Sequence, residues 1–172
     1  MATYLEQLIS EYLTERGYWV QLNWRPSQHG GDTKSKDEFD VVALDMETRT
    51  LWHYEASSGS WESSCERDYI TKFTKALQHY GRMFPGVHTP TDIRRFAVFE
   101  EAKRRQFGGP PPFEVVSLQE FVREIEQWVD HDYMKKSIPE RFPLLRTIQM
   151  YRWASKRNER SVNEPNESAT PL

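Results

Sequence analysis

The chain has 172 residues, 37% of them hydrophobic and 13% aromatic, which is enough for one compact domain with a sizeable core and excludes a disordered composition. No apolar run approaches the roughly 20 residues of a membrane span, and the lone Cys65 excludes an internal disulfide and speaks against a thiolate metal cluster. A net charge of −3 brings no general excess of Lys and Arg toward a phosphate backbone, although cations bound at carboxylates would offset part of that charge.

The N-terminus runs straight into a charged amphipathic stretch and does not read as a secretory signal. With a single cysteine, a reducing cytoplasm is the expected location. Residues 3–16 carry Leu5, Leu8, Ile9, Tyr12 and Leu13 at helical spacing. Thr3 with Glu6 forms a capping-box pattern, and Gly17 stands where such a helix stops. A strand follows over 18–24, then a polar loop over 25–36 with Pro26, Gly30 and Gly31. Two strands, 39–45 and 51–57, joined by the polar residues 46–50, read as a hairpin.

After a small-residue loop over 58–64, Ser63 and Glu66 suggest a cap for a helix over 66–83, with Ile70, Phe73, Leu77, Tyr80 and Phe84 on its apolar face. Residues 95–100 read as a strand, Gly108 to Pro112 as a hard break, and 113–116 as a last short strand. Ser117 with Glu120 caps a helix whose stripe is Leu118, Phe121, Val122, Ile125, Trp128 and Val129. A further helix over 139–153 is interrupted early by Pro143, and the polar residues from Ala154 are expected to form a flexible tail. The expected architecture is α/β: one domain over 1–153 with a mixed central sheet flanked by helices and further helices at the C-terminus.

The hairpin register decides which side chains share a face. A turn centred between Glu47 and Thr48 sets Leu44 opposite Leu51, Val42 opposite His53 and Asp40 opposite Glu55. Both carboxylates then leave one face, near one end of the hairpin, and Val41, Ala43, Trp52 and Tyr54 leave the other. A slip of one residue would bury a carboxylate among aromatics. Two carboxylates this close repel, and either a shared proton or a divalent cation relieves the repulsion. Mg²⁺ suits such a site, since it takes one or two carboxylates and completes its shell with water and phosphate.

Asp40, Glu55-Ala56-Ser57 and the element order of residues 3–100 resemble the PD-(D/E)XK nuclease superfamily, in which an acid opens the second strand and Glu-x-Lys or Asp-x-Lys sits on the third. The resemblance implies an αβββαβ core and Mg²⁺-dependent hydrolysis of DNA phosphodiesters, with Mn²⁺ as a substitute ion. It implies metal ligands at Asp40, Glu55 and Ala56, and a further acid on the first helix, for which Glu6 is the match. The motif lysine is replaced by Ser57. A serine hydroxyl carries no charge to steady a developing anion, so the resemblance points to the following helix for a lysine. Lys72 lies roughly 110° from the centre of the apolar stripe, at its flank, whereas Lys75 lies almost opposite and faces solvent.

Ser57 shares the Glu55 face and is a candidate to bind a water or phosphate. His53 shares it too, and reads as a packed or surface histidine. Gln78 and Tyr80 do not fit the Gln-x-x-x-Tyr pattern of some nuclease helices and read as structural. Cys65 is set aside as a nucleophile. The resulting expectation is a Mg²⁺-dependent endonuclease or related deoxyribonuclease that acts on DNA, working alone, as a homodimer or within a larger nuclease complex. The alternative is an inactive nuclease-fold module that binds nucleic acid or a protein partner.

Overall fold

The computed structural model describes residues 3–28, 37–62, 65–87, 90–101, 112–129 and 136–163. The chain is α/β and divides into two compact units, 1–122 and 123–172. In the first unit the chain forms helix α1 (Tyr4–Glu15), strands β1 (Trp19–Trp24), β2 (Phe39–Leu44) and β3 (Thr50–Ser60), helices α2 (Cys65–Ala76) and α3 (Tyr80–Met83), and strands β4 (Asp92–Glu101) and β5 (Glu114–Ser117). Helix α4 (Leu118–Val129) spans the boundary, and α5 (Pro143–Asn163) belongs to the second unit. Among the described residues no helix is long and apolar enough to cross a membrane.

Local chemistry sets α1 as expected. Thr3 Oγ accepts from the Glu6 N–H at 3.3 Å and the Glu6 carboxylate accepts from the Thr3 N–H at 3.1 Å, closing the capping box. Gly17 stops the helix at φ +90, where a side chain would be strained. The five strands lie in sequence order, antiparallel from β1 to β3 and parallel from β3 to β5. The hairpin has the expected register, with Leu44 against Leu51 and Val42 against His53. Its turn is fixed by Asp45, whose side chain accepts from the N–H groups of Glu47 and Thr48.

Both faces of the hairpin are covered. On one face Tyr12 of α1 and Phe121 of α4 meet edge-to-face, and Phe121 packs on Tyr54. Val41, Ala43 and Tyr54 are buried there as expected, while Trp52 is only half-buried and carries the Arg94 guanidinium over its ring. On the opposite face Val42, Leu44 and Leu51 pack with Ala76 of α2, Tyr80 and Met83 of α3 and Phe84 just after it. A second cluster joins Phe73 to Trp61, Ala97, Phe99 and Phe113.

Several boundaries differ from the sequence reading. β3 runs on to Ser60 with an irregularity after Ser57, taking residues assigned to a loop. The helix expected over 66–83 is two helices, broken at 77–79. Phe73, Tyr80 and Phe84 of the expected stripe are buried, but Tyr69 and Ala76 take the inner positions expected for Ile70 and Leu77, because Ala76 is small enough to bring the helix against the sheet. Ala76 is fully buried, while Ile70 and Leu77 are 37% and 50% exposed. The Ser117–Glu120 cap is present, whereas Ser63, Lys34, Lys36 and residues 103–105 lie outside the described residues.

In the second unit Gln149 on α5 accepts from the Ile138 N–H at 2.8 Å and donates to the Lys136 carbonyl at 2.9 Å, fixing the segment ahead of the helix. Pro143 opens α5 instead of interrupting it, since its missing N–H is not needed at a helix start. The helix continues through Ala154 to Asn163, beyond the Trp153 limit. The remainder of the expected tail, 164–172, lies outside the described residues.

Candidate active site

The two acidic residues converge where β2 and β3 meet α2. Asp40 Oδ2 accepts from the Ala56 N–H at 2.8 Å, a bond that reaches across the hairpin just beyond its last paired residues, Val41 and Tyr54. Asp40 Oδ1 lies 3.4 Å from Lys72 Nζ, and Glu55 Oε2 forms an ion pair with the same ammonium. Lys72 stands one position before Phe73 and four before Ala76, so the face of α2 that packs on the sheet carries it toward the acids. Relative to the observed Tyr69-Phe73-Ala76 stripe it lies about 70° from the centre, nearer than the sequence reading put it. Lys75 is half-exposed and pairs with Asp37 at 2.9 Å.

Glu55 is fully buried, and a charge there requires partners. Besides Lys72 it has His53, whose Nε2 lies 2.7 Å from Glu55 Oε1. The other ring nitrogen, Nδ1, lies 2.7 Å from the Tyr80 hydroxyl. Burial first, and then the nearby Lys72 charge, push the His53 pKa down to about 3, so the ring is neutral. A neutral imidazole has one N–H, and a carboxylate only accepts. The assignment follows: His53 donates from Nε2 to Glu55 and accepts at Nδ1 from Tyr80. Arg95, paired beside His53 on β4, hydrogen-bonds the Tyr80 hydroxyl in turn. Rings of Phe39, Phe73 and Tyr80 enclose the imidazole.

The ionisation of the cluster follows from this enclosure. Burial, with repulsion from Glu55, raises the Asp40 pKa to about 6 against the opposing pull of Lys72 and the Ala56 N–H. Burial also raises that of Glu55, with Lys72 opposing. For Lys72 burial acts against the charge, but Glu55 and Asp40 outweigh it and lift its pKa above the ordinary lysine value. Tyr69, one turn before Lys72, is pushed to about 12, chiefly by burial, and its hydroxyl shares a hydrogen bond with Ser57. Ser57 Oγ also accepts from the Gly59 N–H at 3.2 Å.

The structure thus brings together Asp40, Glu55 and Lys72, with Ser57 alongside through Tyr69. Ala56 enters through its N–H, a donor, which steadies Asp40. Glu6 is not joined to the cluster by any hydrogen bond or ion pair among the described residues; its carboxylate closes the α1 cap, and α1 lies on the opposite face of the sheet. The residues that sequence reasoning left aside are His53, Tyr80 and Arg95. The i, i+2 placement of His53 and Glu55 on one strand face was the available signal.

No protein-family model, curated protein or solved structure matches the chain. The chemistry of the site therefore rests on its donor set. Among the described residues no group of three or more His, Cys, Asp or Glu side chains is arranged to hold a metal ion. Two carboxylate oxygens turned toward one cation are instead a set that suits Mg²⁺ or Mn²⁺, which take their remaining ligands from water and substrate.

Proposed function

We propose that this chain is a divalent-metal-dependent nuclease that hydrolyses DNA phosphodiester bonds, with Asp40, Glu55 and Lys72 as its working groups. The observation that carries this reading is the meeting of Asp40 Oδ1 and Glu55 Oε2 at one cation, Lys72 Nζ. The other oxygen of each acid is held by the protein, through the Ala56 N–H and His53, so both carboxylates are preorganised. Asp40 and Glu55 are the residues that would hold Mg²⁺ or Mn²⁺. Such an ion supplies charge stabilisation on a phosphodiester and acidifies the attacking water.

Lys72 supplies from α2 the positive charge that the motif places at Ser57. Its ammonium stays protonated beside two acids and can meet a phosphate oxygen on which negative charge develops. His53 and Tyr80 orient the Glu55 carboxylate and keep water from its inner oxygen. Ser57 and Tyr69 place two hydroxyls at the edge of the cluster, where they can donate to phosphate.

A second reading, a nuclease-fold module that binds nucleic acid or a protein partner without cutting, draws on Ser57 and on the way Lys72 already pairs with both acids. Cleavage of supercoiled, linear and branched DNA with Mg²⁺ or Mn²⁺ separates the two. The nuclease reading expects metal-dependent cleavage that Asp40→Ala abolishes. Cleavage that persists in Asp40→Ala rejects this site, and its absence on every substrate favours the binding module.

A further inference from the structure

Lys72 occupies a particular pair of oxygens. Asp40 Oδ2 is taken by the Ala56 N–H and Glu55 Oε1 by His53. Asp40 Oδ1 and Glu55 Oε2 both face Lys72 Nζ, and the two carboxyl groups are themselves within hydrogen-bond reach of each other. A divalent ion shared by these carboxylates needs those same two oxygens. Two cations cannot both sit at ion-pair distance from them without strong mutual repulsion, because the site is largely screened from water.

One partner has to give way, and the packing indicates which. Glu55 cannot turn: its side chain is fully buried, bonded to His53, and the imidazole is itself fixed by the Tyr80 hydroxyl. Asp40 is held by a backbone N–H, and its side chain is only 15% exposed. The Lys72 side chain is 39% exposed, at the end of four methylenes on a helix flank, and is the movable member.

We propose that Lys72 is a tethered competitor for the divalent ion: it offsets part of the charge of the acid pair until a metal ion displaces it, and the displaced ammonium is then free to meet an incoming phosphate. This rests on the assignment of Asp40 and Glu55 as the metal-holding pair. Its consequence is that Lys72 weakens metal binding in the absence of DNA, although cleavage requires it.

The test is Mn²⁺ binding without DNA at pH 8, followed by the electron paramagnetic resonance of the free ion, for the wild type, Lys72→Met and Lys72→Arg. Lys72→Met should bind Mn²⁺ at one site at least ten-fold more tightly than the wild type, and Lys72→Arg should bind no more tightly than the wild type. Adding Asp40→Asn to Lys72→Met should remove the gain. Thermal melts by circular dichroism establish that the variants fold; Lys72→Gln replaces the Met variant if that one does not. Equal or weaker binding in the charge-removed variant overturns the competition while leaving the nuclease reading in place. Failure of both wild type and variant to bind Mn²⁺ at this pair overturns the competition and the metal assignment together.

Discussion

Replacing Asp40 by Asn should stabilise the fold, with a pH dependence that reports the strain of the acid pair. Asn keeps an acceptor for the Ala56 N–H and removes the charge that repels Glu55. Burial and Glu55 raise the Asp40 pKa from 3.8 to about 6. At about 1.4 kcal/mol for each pH unit, that rise corresponds to about 3 kcal/mol of folded-state penalty once Asp40 is fully ionised. The sign is set by proton binding: the folded state holds this proton more tightly than the unfolded chain does. The wild type therefore loses the contribution as pH rises from about 4 through about 6. Asp40→Asn does not titrate, so its advantage should be near zero at pH 4 and reach about 1–3 kcal/mol at pH 8. With a urea slope of about 2 kcal/mol per molar, the midpoint at pH 8 should move up by about 0.5–1.5 M. Unfolding can be followed by tryptophan fluorescence, since Trp24 and Trp61 are buried. An Asn variant no more stable than the wild type at pH 8, or a gain that persists undiminished at pH 4, would refute the electrostatic account.

Other positions test the supporting structure. His53→Phe leaves Glu55 Oε1 and the Tyr80 hydroxyl without their mutual partner, and should cost about 2–4 kcal/mol in chemical denaturation. Tyr80→Phe alone should cost about 1 kcal/mol, and the double variant should cost less than the two single losses combined, because they share one hydrogen-bond chain. Phe73→Ala should destabilise by about 3–5 kcal/mol, while Leu77→Gln, on the exposed side of the break after α2, should stay within about 0.5 kcal/mol. Thr3→Ala should cost about 1 kcal/mol by opening the α1 capping box, read as a lower thermal midpoint.

The elements that were legible in the sequence are those written in local chemistry. The Thr3–Glu6 and Ser117–Glu120 boxes cap the helices they were expected to cap. The short polar turn fixed the hairpin register and with it the convergence of Asp40 and Glu55. The second helix was misread because two stripes fit its sequence equally well, and the choice of Ala76 over Leu77 for the inner face depends on how closely the helix approaches the sheet. Its break falls at Leu77-Gln78-His79, which contains neither Gly nor Pro to announce it. The length of α5 was hidden for a related reason, since a charged, polar run reads alike as a solvated helix or a coil. His53 was visible as a neighbour of Glu55, but its role depends on Tyr80, 27 residues away in the chain. No pattern of local spacing encodes that contact.

If Asp40 and Glu55 share a divalent ion, crystals grown with Mn²⁺ will reveal it through the anomalous signal of the metal. A peak is expected between Asp40 Oδ1 and Glu55 Oε2 at about 2.0–2.6 Å from each, with the Lys72 ammonium moved off Glu55. Manganese bound only elsewhere, with Lys72 still seated on both carboxylates, would contradict that sharing.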